Sequence, residues 1–450
     1  QAIAEHGGDL SVILDCCHAA DTTRGAPSET KYAVRGIELE SHAPAAPAAA
    51  PGAAARGGAR AAARRGEEHT MNDNRFNPLA LVLGFLRPLD PLLLLLLAVL
   101  LGYAHVLMQS ASPERLDSQI THIGIALAGM WLLAWLKPQR LLSMAVPLYL
   151  LGVVLLLAVE LFGEISKGAQ RWLDLGVARI QPSELMKIAM PLMLAWFFQM
   201  REGQTRLVDF ILAGVLLLVP VGLILIQPDL GTSLLVAASG IYVIYFAGLS
   251  WKLLIPIVVA GVIGLGSIVA FGDTLCQPDV DWQVLREYQK QRVCTLLDPT
   301  RDPLGRGFHI IQSTIAIGSG GLTGKGWMDG TQTHLAFLPE RHTDFIFAVL
   351  AEEFGLVGAV LLLVIYVLLL LRGFHIAANA PTHASRLLGG AITMIFFTYA
   401  FVNMGMVSGI LPVVGVPLPF ISYGGTALVT LCLGIGILMS IQRSRFAEKT

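Results

Sequence analysis

The stretch that decides the fold is residues 338–372, LPERHTDFIFAVLAEEFGLVGAVLLLVIYVLLLLR. Its polar beginning changes at Asp344 into an apolar run that is long enough to cross the hydrocarbon core of a bilayer as a helix. A carboxylate at the lip of a membrane helix is costly to keep ionised near lipid. Asp344 therefore indicates chemistry or transport at a water-facing cavity.

Apolar runs of similar length recur along the chain, which has 450 residues, 54% of them hydrophobic and 14% charged. Because each run of about 20 apolar residues predicts one membrane helix, the sequence predicts an all-α, polytopic membrane protein with about ten transmembrane helices. One long extracytoplasmic loop, 272–344, separates helices 7 and 8. The predicted spans are 89–110, 119–137, 142–163, 182–200, 208–226, 230–248, 252–271, 344–372, 386–411 and 420–441.

Lysine and arginine residues in the short connections predict the orientation of the spans. With both termini cytoplasmic, the basic residues on the cytoplasmic side are Arg75, Arg87, Lys137, Arg140, Arg201, Arg206, Lys252, Arg372, Arg386, Arg443 and Arg445. Lys167, Arg171 and Arg179 are exceptions on the outer side, where they either bind an anionic ligand or belong to a solvated loop. The net charge of −1 says nothing about nucleic acid. No basic face with interleaved aromatics appears in the sequence, so a nucleic-acid partner is not expected.

The front of the chain, residues 1–70, differs in composition from the rest. Its second half is rich in Ala, Pro, Gly and Arg, which cannot bury a core and predicts a linker. The segment DLSVILDCCHAADTTRG, 9–25, resembles the nucleophile turn of caspase-like cysteine peptidases, with Cys17 at the nucleophile position. His6 lies too close to Cys17 to be the general base, so this fragment is predicted to be truncated and inactive. The predicted boundaries are 1–40 for the fragment, 41–70 for the linker and 71–450 for the membrane domain.

Two connections place charged residues beside a span. In ISKGAQRWLDLGVARIQPSELMK, 165–187, Glu184 and Lys187 are three residues apart and share one face of the fourth helix. They either neutralise each other inside the bundle or face a ligand cavity. In IQPDLGTS, 226–233, Asp229 is predicted to cap the helix that follows, the alternative being a catalytic role.

The long loop contains a glycine-rich segment, GSGGLTGKG, at 318–326. It lacks the GxxxxGK[ST] arrangement of a nucleotide-binding P-loop. Its backbone N–H groups, together with Lys325, can still hold a pyrophosphate.

From Phe85 to Arg445 the chain resembles the SEDS family of membrane glycosyltransferases. Arg341 and the preceding GTQTHLAF favour the rod-shape branch of that family over its division branch. The motifs that carry the resemblance are SKGAQRWLDLG, QPSELMK, QPDLGTS, LLDPTRDPLGRGFHIIQSTIAIGSGG, GKGWMDGTQTHLAFLPERHTDFIFAV and VSGILPVVGVPLPFISYGGTA.

This resemblance implies polymerisation of lipid II into β-1,4 glycan strands at the outer face of the bacterial cytoplasmic membrane, for cell elongation. It places the essential carboxylate at Asp344, a general base that deprotonates the acceptor's GlcNAc 4-hydroxyl as that oxygen attacks the donor's MurNAc anomeric carbon. The transfer inverts the anomeric configuration. The alternative interpretation is that Thr343 or Asp344 is only the N-cap of the eighth helix.

A cation must offset the charge on the leaving pyrophosphate. Glu340 is expected to pair with Arg341, whereas Glu352 and Glu353 either line a cavity or are structural. A divalent cation, Mg²⁺ or Mn²⁺, held by Asp344 and phosphate oxygens is left open as the cofactor, and the histidines lack metal-ligand spacing. The candidate substrate-binding residues are Lys167, Arg171, Glu184, Lys187, Lys325 and Arg341.

A transporter that flips a lipid-linked precursor without forming a bond is the second interpretation, since intramembrane charge and broken spans fit it equally well. The resemblance implies lipid II and polyprenyl-pyrophosphate-linked glycan as ligands in the inner membrane. It also implies a class B penicillin-binding protein and other elongation-complex proteins as partners. That partner would supply the transpeptidase, because this chain lacks the ordered SxxK, SxN and KTG set.

Cys276 and Cys294 both fall in the long outer loop, an oxidising compartment in a bacterial inner-membrane protein. They are predicted to form a disulfide that tethers the segment between them. The alternative is two unrelated thiols, with Cys294 buried as a small apolar residue.

Overall fold

The computed structural model describes residues 89–447, apart from 167–168, 175–178, 204, 278–279, 281–286, 304, 336 and 339. The peptidase-like fragment, the linker and Lys167 lie outside the described residues, so the interpretations of those parts stay predictions.

The described residues form a bundle of helices, and ten long helices lie at the ten predicted spans. In chain order the helices are α1 (Pro91–Ala111), α2 (Leu116–Trp135), α3 (Pro138–Ser143), α4 (Ala145–Phe162), α5 (Pro182–Gln199), α6 (Leu207–Ile226), α7 (Leu230–Phe246), α8 (Trp251–Ala270), α9 (Gly272–Leu275), α10 (Glu287–Leu297), α11 (Arg306–Gly320), α12 (Thr331–His334), α13 (Ile346–Ala378), α14 (His383–Val407) and α15 (Gly425–Ala447). Short 3₁₀ turns lie at Pro113–Arg115 and Pro299–Arg301.

Seven of these helices are long and apolar enough to cross a membrane, namely α1, α4, α6, α8, α13, α14 and α15. Helix α7 is also apolar but has 17 residues. The remaining two, α2 and α5, bury polar side chains such as Gln119 and Lys187. The chain is therefore an all-α, multi-pass membrane protein, as predicted.

Helices α5 and α14 lie at the centre of the bundle and bury most of their side chains. Helix α14 contacts α5, α7, α13 and α15. At the opposite extreme, none of the described side chains of α8 is buried. Asp90 caps α1 by accepting from the Leu93 amide at 2.9 Å, and it also pairs with Arg372 of α13. This pair ties the first long helix to the eighth.

The connection between α4 and α5 is a small sheet, where the sequence had predicted only a loop. Its strands are β1 (Glu164–Ser166), β2 (Ala169–Asp174) and β3 (Arg179–Ile180), paired antiparallel in that order. Leu173 lies opposite Ile180 in the second pairing. The antiparallel pairing of β1 with β2 satisfies backbone groups of these two strands.

The segment between α8 and α13, predicted as one long loop, contains the helices α9 to α12. Helix α11 packs against α13 and α14 and buries Ile310 and Ala316. The Ser313 hydroxyl donates to the Val407 carbonyl of α14 at 2.9 Å. The long connection between the two spans therefore contains helices of its own, because α11 has an apolar face that the bundle covers.

Helix α13 is broken at Gly355, whose φ of 64° and ψ of −159° lie outside the helical region. A Cβ atom at this position would lie 2.3 Å from the Gly324 nitrogen, so both the backbone conformation and the close approach require glycine. The short piece before the break bears Glu352 and Glu353, and the longer piece after it is almost wholly apolar.

The predicted disulfide is confirmed: Cys276 and Cys294 are bonded, with their Cα atoms 5.6 Å apart. The bond joins the turn after α9 to α10. Between the two cysteines, the buried Lys290 donates from Nζ to the carbonyls of Gln277 and Val280. The disulfide and this lysine together hold Cys276, Gln277 and Val280 to α10.

Removing the disulfide with Cys276→Ser/Cys294→Ser is expected to lower the free energy of unfolding by about 3 kcal/mol, the chain-entropy value for a loop of this size. Thermal unfolding with and without reductant measures the loss of stability. Reductant should destabilise the wild-type chain and leave the double variant unchanged. Thiol labelling is the second check, and the double variant gives the background from the other cysteines. Labelling of both residues in unreduced protein would contradict the bond.

Candidate functional site

Asp344 lies in the turn that leads into α13 and is partly exposed. The N-cap of the helix is Phe345, which makes no side-chain cap bond. The interpretation of Thr343 or Asp344 as the N-cap was therefore wrong by one or two residues. The Thr343 hydroxyl instead donates to the Glu340 carboxylate at 3.0 Å and closes the turn locally.

Three successive main-chain carbonyls of this turn are each held by a donor from elsewhere in the chain. The His342 carbonyl accepts from the Tyr423 amide at 2.8 Å. The next two, of Thr343 and Asp344, accept from the Ser422 hydroxyl at 2.6 Å and the Asn403 side-chain amide at 2.8 Å. Because consecutive peptide units are fixed, the direction in which the Asp344 side chain leaves the backbone is fixed as well.

Two further elements approach Asp344 and its neighbour Phe345. The ideal Cβ position of Gly415, which has a φ of 73°, lies 3.5 Å from Asp344 Oδ2. The ring of His309, on α11, stacks on Phe345 at a centroid distance of 5.6 Å. Burial lowers the pKa of His309, so its imidazole is neutral near pH 7.

Arg341, a predicted pyrophosphate ligand, makes its observed hydrogen bonds to main-chain carbonyls. Its Nε donates to Ala111 at 2.6 Å, and its Nη1 donates to Thr333 at 2.5 Å. The guanidinium thereby ties the end of α1 and the end of α12 to the Asp344 turn. Its predicted role toward phosphate stays a prediction.

Lys325 pairs with Glu352 of α13 at 2.7 Å. The Glu352 side chain is 0% exposed and also accepts from both the amide and the hydroxyl of Thr333. The Thr331 hydroxyl and the Gln332 amide complete its donors. Of the two interpretations of Glu352, the structural one is therefore correct, and Thr333 links Glu352 to Arg341.

The glycine-rich segment pairs with the broken helix. The amides of Lys325 and Gly326 donate to the Glu352 and Glu353 carbonyls at 3.0 and 3.1 Å. In return, the Gly321 and Leu322 carbonyls accept from Leu356 and Val357 at 3.0 and 3.1 Å. The prediction that these N–H groups hold a pyrophosphate was wrong for Lys325 and Gly326, because the helix break leaves α13 carbonyls that need the same donors.

Glu184 and Lys187 form a buried ion pair, with Lys187 Nζ 2.6 Å from Glu184 Oε1. The same nitrogen donates to the Tyr399 hydroxyl of α14 at 2.6 Å. The arrangement matches the interpretation in which the two charges neutralise each other inside the bundle. Glu184 Oε2 is buried and has no hydrogen-bond partner among the described residues.

Arg171, on β2, lies 3.6 Å from the Asp229 carboxylate and donates to the Pro228 carbonyl at 3.4 Å. Asp229 also accepts from the Thr232 amide at 3.2 Å, which confirms it as the N-cap of α7. The Arg171 side chain is 28% exposed and therefore keeps contact with solvent.

Sequence reasoning missed Asn403 altogether and Arg115 beside the turn. The Arg115 guanidinium lies 5.4 Å from the centroid of the Tyr423 ring. The same ring contacts the His342 ring at a centroid distance of 5.8 Å and the His122 ring at 5.9 Å. Burial and Arg115 both lower the pKa of His342. Tyr423 and Ser422 lie in the quoted VSGILPVVGVPLPFISYGGTA motif, whereas no local pattern marks Asn403.

No group of three or more His, Cys, Asp or Glu side chains that could hold a metal occurs among the described residues. Asp344 alone would provide a single carboxylate ligand, and the neighbouring Glu340 is engaged by Thr343. The described residues therefore do not form a resident metal site, and a divalent cation here would have to arrive with phosphate oxygens.

Residues 87–446 match the family FTSW_RODA_SPOVE, described as "Cell cycle protein". The chain is 52% identical over 360 residues to "Peptidoglycan glycosyltransferase MrdB" of Escherichia coli (strain K12), covering 79% of this chain and 94% of the relative.

Two solved structures are similar in fold. One is described as "Structural coordination of polymerization and crosslinking by a peptidoglycan synthase complex". Its chain matches with a TM-score of 0.66 and 36% identity, over 79% of this chain and 98% of that one. The second is the rod shape determining protein RodA of Thermus thermophilus, with a TM-score of 0.59 and 31% identity over 79% and 97% of the two chains.

Proposed function

The chain belongs to the FTSW_RODA_SPOVE family, and we propose that it is a peptidoglycan glycosyltransferase that joins lipid II disaccharides into β-1,4 glycan strands during cell elongation. The similar E. coli protein is named a peptidoglycan glycosyltransferase, and so is "Peptidoglycan glycosyltransferase RodA" of Treponema pallidum. The flippase alternative has no such support.

The observation that carries the proposal is the fixed, partly exposed Asp344 carboxylate at the end of a membrane-spanning helix. Three carbonyl anchors hold its turn. A general base must lie within hydrogen-bond distance of the proton that it removes. Because the main chain is fixed at three successive residues, the Asp344 carboxylate can be held at such a distance.

In the proposed reaction, Asp344 takes the proton from the acceptor's GlcNAc 4-hydroxyl while that oxygen forms a bond to C1 of the donor's MurNAc. The bond from C1 to the pyrophosphate oxygen breaks on the opposite face, so the α-linkage becomes a β-linkage. The proton ends on Asp344 and the electron pair ends on the pyrophosphate. General base catalysis of this kind contributes about 10²- to 10⁴-fold.

A cation is needed near the leaving pyrophosphate. Lys187 and Lys325 already neutralise buried glutamates at 2.6 and 2.7 Å. Arg171 is about as exposed as Lys325, but its ion pair is longer, at 3.6 Å. Among the described residues, these contacts favour Arg171 as the cation that binds the pyrophosphate. Lys167 also remains a candidate for this role. A bound divalent ion would supply additional charge neutralisation.

The basic residues support a proposal for the location. Arg140, Arg201 and Arg386 lie at the bundle end opposite Asp344, together with Arg443. We propose that this end is cytoplasmic, that both termini lie there, and that the membrane is the bacterial inner membrane. The match to a synthase complex of polymerisation and crosslinking supports a class B penicillin-binding protein as the partner that crosslinks the strands.

The test is to incubate the purified chain, reconstituted in liposomes, with labelled lipid II. We expect a ladder of glycan polymer that lysozyme digests. Transfer of labelled lipid II to the opposite leaflet without polymer would instead establish the flippase and overturn the polymerase. Empty liposomes control for spontaneous movement of the lipid.

A further inference from the structure

Asn403 lies near the end of α14, four residues before Val407, and its side chain is 0% exposed. Its Nδ2 donates to the Asp344 carbonyl at 2.8 Å and to the Val416 carbonyl at 2.7 Å. Both neighbours can only accept. The amide nitrogen, rather than the oxygen, must therefore face them, which fixes the orientation of the side chain.

One acceptor belongs to the Asp344 turn, and the other belongs to the segment that approaches the Asp344 carboxylate. One is the main chain of Asp344 itself. The other is Val416, next to Gly415, which forms the wall 3.5 Å from Asp344 Oδ2 as measured from its ideal Cβ position. The two N–H groups of one side chain therefore set the separation between the carboxylate's own backbone and the wall that the carboxylate faces.

The side-chain oxygen of Asn403 indicates that an asparagine at this position does not serve stability alone. Asn403 Oδ1 is buried and has no hydrogen-bond partner among the described residues. A buried acceptor without a donor is destabilising. An apolar residue of similar volume would avoid that penalty, but it would lose both donors to the Asp344 and Val416 carbonyls.

We propose that Asn403 is a positioning residue for the transfer reaction, which holds the Asp344 carboxylate at its working distance from the Gly415 and Val416 wall. This inference rests on the proposed function. Asn403 acts through the main chain of Asp344, and its Nδ2 donates to the Asp344 carbonyl rather than to the carboxylate.

The principal test is Asn403→Asp, which keeps the shape of the side chain but removes both donors and turns an acceptor toward two carbonyls. We expect turnover per folded molecule to fall at least about 30-fold, consistent with the steep dependence of rate on the placement of a catalytic group. The KM for lipid II should stay within about threefold, because binding contacts are unchanged. Asn403→Ala removes the donors without introducing a charge and should show the same split between turnover and KM.

Thr398→Val is the matched control, since Thr398 is also buried on α14 and bonds to Tyr242 and its own helix. It removes a buried polar group without touching the Asp344 turn. We expect a lower melting temperature and unchanged turnover per folded molecule.

The split between turnover and KM is the readout that separates positioning from a purely structural role. The pH dependence of turnover tests in addition whether position 403 lies close enough to act on the Asp344 carboxylate. The ionisable groups near the turn are Glu340, Arg341 and His342 on its own segment, His309 on α11, and Glu114 and Arg115 between α1 and α2. They are the same in every variant. A second carboxylate at position 403 disfavours the ionised form of Asp344. The acidic limb of the profile should therefore move to higher pH in Asn403→Asp and stay in place in Asn403→Ala.

The inference is overturned if both Asn403 variants turn over within about twofold of wild type. It is also overturned if both variants are recovered only as aggregates, or if their loss of turnover is matched by Thr398→Val, because Asn403 is then structural. If the wild-type chain makes no polymer, the proposed function fails instead.

Discussion

Asp344→Asn is expected to reduce polymerisation of labelled lipid II at least about 100-fold, the lower end of what a general base contributes. The amide keeps the size of the side chain but cannot accept the proton of the sugar hydroxyl. The main-chain anchors of the turn use carbonyl 344 rather than its side chain, so folding and membrane insertion should be unaffected. The rate of polymer formation, with amounts of folded protein matched by size exclusion, measures the effect.

Asp329→Asn provides the matched control for this result. Asp329 is an exposed carboxylate on the segment between α11 and α12, in the same part of the chain as the Asp344 turn. The control should polymerise at the wild-type rate. If Asp344→Asn also did so, the assignment of the base would be wrong even though the chain is a polymerase.

Glu352→Ala is expected to lower the free energy of unfolding by about 3 kcal/mol, at the lower end of the range for breaking a buried ion pair, because Lys325 is partly exposed. The substitution leaves the ammonium of Lys325 without its carboxylate. It also removes the acceptor for Thr331, Gln332 and Thr333. Titration with SDS in mixed micelles measures the change in the free energy of unfolding.

A double variant, Lys325→Met/Glu352→Leu, separates the charge from the hydrogen bonds. It removes both members of the ion pair and should recover part of the lost stability. The recovery should be incomplete, since the amides of Gln332 and Thr333 still lose their acceptor. If Glu352→Ala cost no more than Asp329→Ala, within about 0.5 kcal/mol as for ordinary surface sites, Glu352 would not be the anchor of this segment.

Features that depend on nearby residues were predictable from the sequence. The ten long helices follow from apolar run length, and the Glu184 to Lys187 pair follows from helical spacing. The cap at Asp229 follows from the residue type before an apolar run. The disulfide was predictable because both cysteines fall in one segment between two spans.

Features that depend on distant contacts were not predictable. Asn403 and Asp344 are 59 positions apart, and nothing in the local pattern around either residue marks the hydrogen bond. The glycine-rich segment suggested phosphate binding, because glycine permits the same backbone exposure whether the partner is an anion or another stretch of main chain. The break of α13 at Gly355 leaves main-chain carbonyls that accept hydrogen bonds from these amides. That break lies in a different part of the chain from the glycine-rich segment.

The broken helix also determines how the protein responds to the thickness of its bilayer. A continuous α13 of 33 residues would be about 50 Å long, against a hydrocarbon core of about 30 Å. The piece after Gly355, residues 356–378, covers about 35 Å and can cross the core alone. Lipids with longer or shorter acyl chains change the tilt of a spanning helix. That tilt acts on the longer piece, while the short piece that follows Asp344 is bonded to the glycine-rich segment, so the height of the carboxylate above the lipid is set by protein contacts.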